Sequence, residues 1–172
     1  LGHLLRVGRP AESAEAFGEA VKRDPAFAEA WCNLGLLQTE LGKFAEGLEA
    51  LRTGHRLGSA RAGWSYPSAR WTEEAEAVSA AAEVVDDPES VLDAAEDPAR
   101  FGATVAAAFY LGKPQVATRC FESAIRLQGA DFAPSSRIVF VAACAAASAA
   151  RQTGAAAAPT KDLVRWRGRA LD

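Results

Sequence analysis

The residues able to do chemistry are few and scattered. The chain has two histidines, His3 and His55, and three cysteines, Cys32, Cys120 and Cys144. A metal site needs ligands brought together by short spacings on one helix face or turn. Neither histidine has a Cys, Asp or Glu at such a spacing, and His55, four residues after Leu51, reads as a flanking helix residue. The cysteines are too few and too far apart for a disulfide framework, so they are expected as small buried apolar side chains in a reducing compartment. There is no Gly-x-Ser-x-Gly elbow and no phosphate-cradling loop. Carboxylates are concentrated instead: ten lie between Thr72 and Pro98, with no Lys or Arg among them. Paired carboxylates work as acid and base only where a cleft raises the pKa of one, and nothing in the run specifies a cleft. Two readings of it stand: a solvated helix face with carboxylates favoured at helix N-termini, or an acidic docking face for a basic partner. No catalytic residue, cofactor or metal ligand is assigned.

The elements that would position such residues are helical. Alanine makes up about a quarter of the chain while Ile and Thr are sparse, a composition favouring helix over sheet. Gly8-Arg9-Pro10 recurs as Gly42-Lys43-Phe44, thirty-four residues on, and the same step carries Phe17 to Leu51 and Ala20 to Gly54. A third copy, Gly112-Lys113-Pro114 with Ala117, Phe121 and Ala124, follows 70 residues after the second. A fixed period of this length marks stacked copies of one supersecondary unit.

The clearest copy runs from Ala28 to Ser59. Asp24-Pro25 is expected to open it, with Asp as cap and Pro in the first turn. Trp31, Leu34, Leu37 and Leu41 recur at three- and four-residue steps, the stripe of a helix face. Gly42 should end that helix, and a second helix from Phe44 to about Leu57 turns Leu48 and Leu51 inward. Gly47 and Gly54 sit where the two helices would cross. A lone hairpin of this kind cannot bury both faces and needs neighbours.

These residues resemble the tetratricopeptide repeat family. Its pattern of a large residue, Leu-Gly, a turn, and small–large–small on the second helix reads here as Trp31, Leu34-Gly35, Gly42 and Gly47–Leu51–Gly54, with Ser59 in place of the usual Pro. Ser13, Phe17, Ala20 and Pro25 supply a truncated earlier copy. Phe101, Ala108, Leu111, Gly112, Ala117, Phe121 and Ala124 supply a later one, with Val105 where the family prefers a small residue. The resemblance implies an all-α, right-handed solenoid of antiparallel helix pairs. The expected organisation is repeat units over 1–61, an aromatic turn and atypical acidic helical section over 62–97, and a degenerate unit with capping helices over 98–172. Within the middle section a helix from about Ser68 to Val85 is expected, then stop-and-restart signals at Asp86-Asp87-Pro88 and Asp97-Pro98. Further helices are expected over Ser135–Arg151 and from Thr160 to Leu171, the last basic through Lys161, Arg165, Arg167 and Arg169 and suited to a polar end cap.

Gly54-His55-Arg56-Leu57-Gly58, the turn from Trp64 to Trp71 and Ala142-Ala143-Cys144-Ala145-Ala146 also resemble the repeat region behind the kinase domain of planctomycete-type bacterial serine/threonine protein kinases. The likeness implies a kinase domain upstream, not an enzyme here. His55-Arg56-Leu57 lacks the base Asp of a kinase catalytic loop, and Asp131-Phe132-Ala133 lacks the Gly of the metal-binding triplet. No Gly-rich loop or strand lysine precedes either, and phosphoryl transfer needs all these parts together.

The remaining expectation is recognition. In the repeat family the first helix of each pair lines the concave face. That places Glu29, Cys32, Asn33, Leu36, Thr39 and Glu40 outward in the best unit, with Ala106, Phe109, Tyr110, Arg137 and Phe140 in comparable later positions. Some family members hold a peptide carboxylate there with Lys and Asn; Asn33 is present, but the basic partners are not. The mixture suits an apolar peptide or helix in the groove, or else Leu36, Phe109 and Phe140 pack on neighbouring helices. A net charge of -3 gives no broad case for nucleic acid. The longest apolar run, Ile138 to Ala150, falls short of the ~20 residues that span a bilayer, and no signal peptide is visible. The expected partner is therefore a protein or peptide, met in the cytoplasm. With no methionine anywhere, the chain is expected to be a piece of a longer protein.

Overall fold

The structure, a computed structural model, describes residues 9–128. Seven α-helices and no strand are found among them: α1 Pro10–Arg23, α2 Ala28–Glu40, α3 Phe44–Ser59, α4 Ser68–Val84, α5 Pro88–Glu96, α6 Pro98–Tyr110 and α7 Pro114–Gln128. Four of them open on proline, whose fixed φ suits the first turn and whose missing N–H would have no helical partner there anyway. The fold is an all-α helical repeat. The helices expected over 135–151 and 160–171, with Arg137, Phe140 and Asp131-Phe132-Ala133, lie outside the described residues. Compactness divides the chain into two units between Ser79 and Ala80, inside α4.

In the first unit α2 and α3 form a hairpin whose backbones touch. A β-carbon added to Gly47 would lie 2.5 Å from Thr39 Oγ1 and 2.9 Å from the Gly35 carbonyl oxygen, and one on Gly54 would lie 2.5 Å from Cys32 Sγ. Glycine is required at both places for want of space. Leu51, fully buried between them, fills the remaining volume, a burial worth about 1.5–3 kcal/mol. The helix α1 packs on α2 through Val21, Ala30 and Leu34, a cluster joined by Ala50 of α3 and flanked by Phe17 and Trp31. The indole N–H of Trp31 donates to the Pro25 carbonyl at 3.0 Å.

One expectation is corrected here. Asp24-Pro25 does not open α2. Asp24 closes α1, its N–H donating to Ala20, and its carboxylate accepts from the Ala26 N–H at 3.0 Å. The Phe27 N–H also donates to the Asp24 carbonyl at 3.1 Å, so Asp24 and Pro25 belong to the turn, and α2 starts three residues past Pro25, behind Phe27, with no side-chain cap.

The second unit repeats the same local device. At the end of α2 the Lys43 N–H reaches back to the Gln38 carbonyl at 2.8 Å, over Gly42 at φ 75°. At the end of α6, 70 residues later, the Lys113 N–H reaches Ala108 at 2.8 Å over Gly112 at φ 68°. This six-to-one closure satisfies helix-end carbonyls and requires the left-handed conformation that glycine adopts without strain. The α6–α7 pair is built on Phe101, Val105, Ala108, Ala117, Cys120, Phe121 and Ala124, and α5 packs on both helices through Val91 and Ala95. The start of α5 is capped by Asp87, whose carboxylate accepts from the Ser90 N–H at 2.9 Å and from its hydroxyl at 2.6 Å. Asp86 meets Lys113 at 2.6 Å.

Candidate partner-binding face

The candidate residues of α2 take three different roles. Glu29 and Asn33 lie one turn apart, half-buried, and the Asn33 amide donates to the Glu29 backbone carbonyl at 2.7 Å. Leu36 follows, also half-buried and in neither core cluster. Thr39 is different. Its hydroxyl donates to the Gly35 carbonyl at 2.9 Å and stands against Gly47, so it faces α3. Glu40 is half-buried at the end of the helix. Cys32, outward by its place in the repeat but expected to be buried as a free cysteine, is fully buried against Gly54: the close helix crossing draws it in. In the second unit Ala106 is half-buried, Phe109 packs against the edge of the core, and its ring lies 5.9 Å from that of Tyr110. Arg137 and Phe140 belong to the part outside the described residues. The structure thus gathers Glu29, Asn33 and Leu36 on one stretch of α2 and turns Thr39 away from it.

What the periodic pattern did not place is the wall that faces Glu29. The segment between α3 and α4 folds on itself. Trp64 lies against the backbone of Gly58, where any β-carbon would strike the indole. Tyr66 stacks on Trp64 with ring centres 4.9 Å apart, and Trp71 meets Tyr66 edge-on at 5.4 Å. Offset stacks and edge contacts of this kind add to simple area burial. Ser68, 1% exposed, ties the turn down: its hydroxyl oxygen accepts from the Trp64 indole N–H at 2.9 Å and lies 2.9 Å from His55 Nδ1. A Ser–His pair has the makings of a nucleophile and base, but an enclosed Ser68 offers no approach to a substrate, and the pair acts as a tie between α3 and α4. At the front of the turn Arg61 Nη1 lies 3.1 and 2.9 Å from the two carboxylate oxygens of Glu29. A cleft of about 80 Å³ opens between Glu29, Arg61, Trp64, Ser65 and Tyr66.

Residues 28–54 match the family model of the tetratricopeptide repeat. The match covers α2, the Gly42 turn and the first part of α3, the same hairpin in which Gly35, Gly47 and Gly54 let the backbones touch. No curated protein and no solved structure matches the chain. Outside the matched repeat, the second unit shares its turn geometry and its buried small–large–small series, Ala117–Phe121–Ala124.

The two free thiols of the described residues are both buried. Burial pushes the Cys32 thiol up to about 11, helped by the neighbouring Glu29 charge, and burial alone pushes Cys120 up to about 12. Both are poor thiolates and weak nucleophiles. Among the described residues no group of three or more His, Cys, Asp or Glu side chains is placed to hold a metal ion. None of their helices is long and apolar enough to cross a membrane.

Proposed function

We propose that this chain is a non-catalytic protein–protein interaction scaffold that holds a partner peptide or helix on the outward face of α2. The match of residues 28–54 to the tetratricopeptide repeat carries the reading, because such repeats generally mediate contacts between proteins. The geometry supports it: Glu29, Asn33 and Leu36 form a mixed polar and apolar strip beside a cleft, on a helix held rigid by the backbone contact behind it. Rigid helical faces of this kind present alternate side chains to a partner without ordering cost. A working place in the cytoplasm, where buried free thiols stay reduced, belongs to the same proposal.

The test is affinity capture with the native chain and with Leu36→Asp, followed by titration of whatever partner is retained. Binding is expected to weaken at least tenfold in the variant while helicity is unchanged. Equal binding by a folded Leu36→Asp protein removes this face from the mechanism.

A second reading makes the chain a regulatory or substrate-docking tail of a bacterial serine/threonine kinase. It rests on the likeness of Gly54–Gly58 and of the aromatic turn from Trp64 to Trp71, whose rings stack on one another. The coding sequence upstream decides it: a neighbouring domain without a nucleotide-binding lysine and a catalytic aspartate excludes an active kinase.

A further inference from the structure

The Glu29–Arg61 contact forms one edge of the cleft from the protein's own side chains. One guanidinium nitrogen, Nη1, serves both oxygens of Glu29. The guanidinium carbon stands over the Trp64 ring, 6.0 Å from its centre. A carboxylate on one side and an indole on the other is a combination that holds a guanidinium in place. Arg61, on the edge of the cleft, therefore displays the chemistry that Glu29 and Trp64 select.

We infer that this cleft is a receptor for an arginine side chain of a partner peptide, and that Arg61 is an internal plug which the partner displaces. The inference rests on the partner-binding reading above and names the chemistry of the partner. Three observations support it. Arg61 is the movable member of the pair: its side chain is 53% exposed, against 27% for Glu29, and it sits in an exposed stretch over 59–63 next to Gly63 at φ 78°. Glu29 is fixed on α2, inside the first turn of the helix. Asn33 and Leu36 continue from Glu29 at four and three residues, so a peptide anchored in the cleft by arginine runs along them. The charge is complementary as well, since withdrawal of Arg61 leaves Glu29 unpaired on a chain of net charge -3. Exposed ion pairs are weak, and displacing one changes an equilibrium by no more than about fivefold. The competing possibility is an anionic ligand bound by Arg61 itself, and it predicts the opposite sign for the same substitution.

The experiment is a titration of the full chain with the blocked tripeptide acetyl-Leu-Arg-Leu-amide, read at the indole N–H resonance of Trp64. The analogue with citrulline for arginine keeps the shape and lacks the charge. A saturable shift is expected with the arginine peptide and none with citrulline. Affinity should rise about two- to fivefold in Arg61→Ala, the range set by an exposed ion pair, and be lost in Glu29→Gln. Arg61→Gln, with unchanged helicity, serves as a second variant should alanine disturb the turn. Weaker binding in both Arg61 variants, an equal response to citrulline, or no saturable shift in either variant overturns the inference. A partner that depends on Leu36 but is indifferent to Arg61→Ala also overturns it, and leaves the broader reading intact.

Discussion

A methyl group on Gly35 would stand 2.6 Å from the carbonyl oxygen of Gly47. The two glycines mark the point where α2 and α3 meet backbone to backbone, and no side-chain movement can relieve a contact with a carbonyl. Gly35→Ala gains helix propensity of up to about 1 kcal/mol and loses more to overpacking, typically 1–3 kcal/mol. Urea unfolding should show a net loss in both Gly35→Ala and Gly47→Ala. Gly18→Ala in α1 is the control: no described residue lies within 4 Å of its added carbon, so propensity acts alone and the variant should gain about 0.5–1 kcal/mol. A stabilised Gly35→Ala would mean that the helices do not approach this closely.

Ser68 is the hub of the tie beneath the aromatic turn. Ser68→Ala strands the Trp64 indole N–H and His55 Nδ1 at a site that is 1% exposed. Leaving a buried donor without its partner costs about 1–3 kcal/mol. Thermal unfolding should show that loss, with a change in Trp fluorescence as the stack of Trp64 and Tyr66 loosens. Because Glu29 and Arg61 meet at the front of the same turn, peptide binding should change too. Unchanged stability and fluorescence would show that the stack alone holds the turn.

The thiols give a pH-dependent prediction with a definite sign. Cys32 and Cys120 have folded-state pKa values of about 11 and about 12, above the ordinary thiol value. Below the unfolded value both states keep the proton, and the thiols leave stability independent of pH. As pH rises from that value through 11 and 12, the unfolded chain releases protons that the folded chain retains, and stability falls. Cys120→Ala should flatten that alkaline decline relative to the native chain, as read by denaturant unfolding at stepped pH. At neutral pH both thiols should react with a maleimide only as the structure opens, with Cys32 accelerated in Gly35→Ala. Prompt labelling at Cys32 or Cys120 in the native protein would contradict the burial.

Much of the local architecture was readable from residue order alone. The thirty-four-residue recurrence and the stripe Trp31–Leu34–Leu37 specify paired helices. Gly42 and Gly112 mark their turns, and Gly47 and Gly54 mark the crossing. These are rules of short range: helix periodicity, caps and positive-φ turns act within four or five residues, so each is written where it operates. The helix from Ser68 and the restarts at Pro88 and Pro98 were legible for the same reason. Tertiary structure decided the rest. Whether Cys32 faces out or in depends on how closely α3 approaches, and Gly54 permits an approach that buries it. Asp24 was misplaced because it closes α1 and holds the turn through the Ala26 N–H rather than capping α2. Arg61 reaches Glu29 across thirty-two residues, and His55 reaches Ser68 across thirteen, through a turn whose path no periodicity encodes. The helices come from the chain's own repetition, whereas the cleft exists only where an irregular, aromatic turn folds back on one of them.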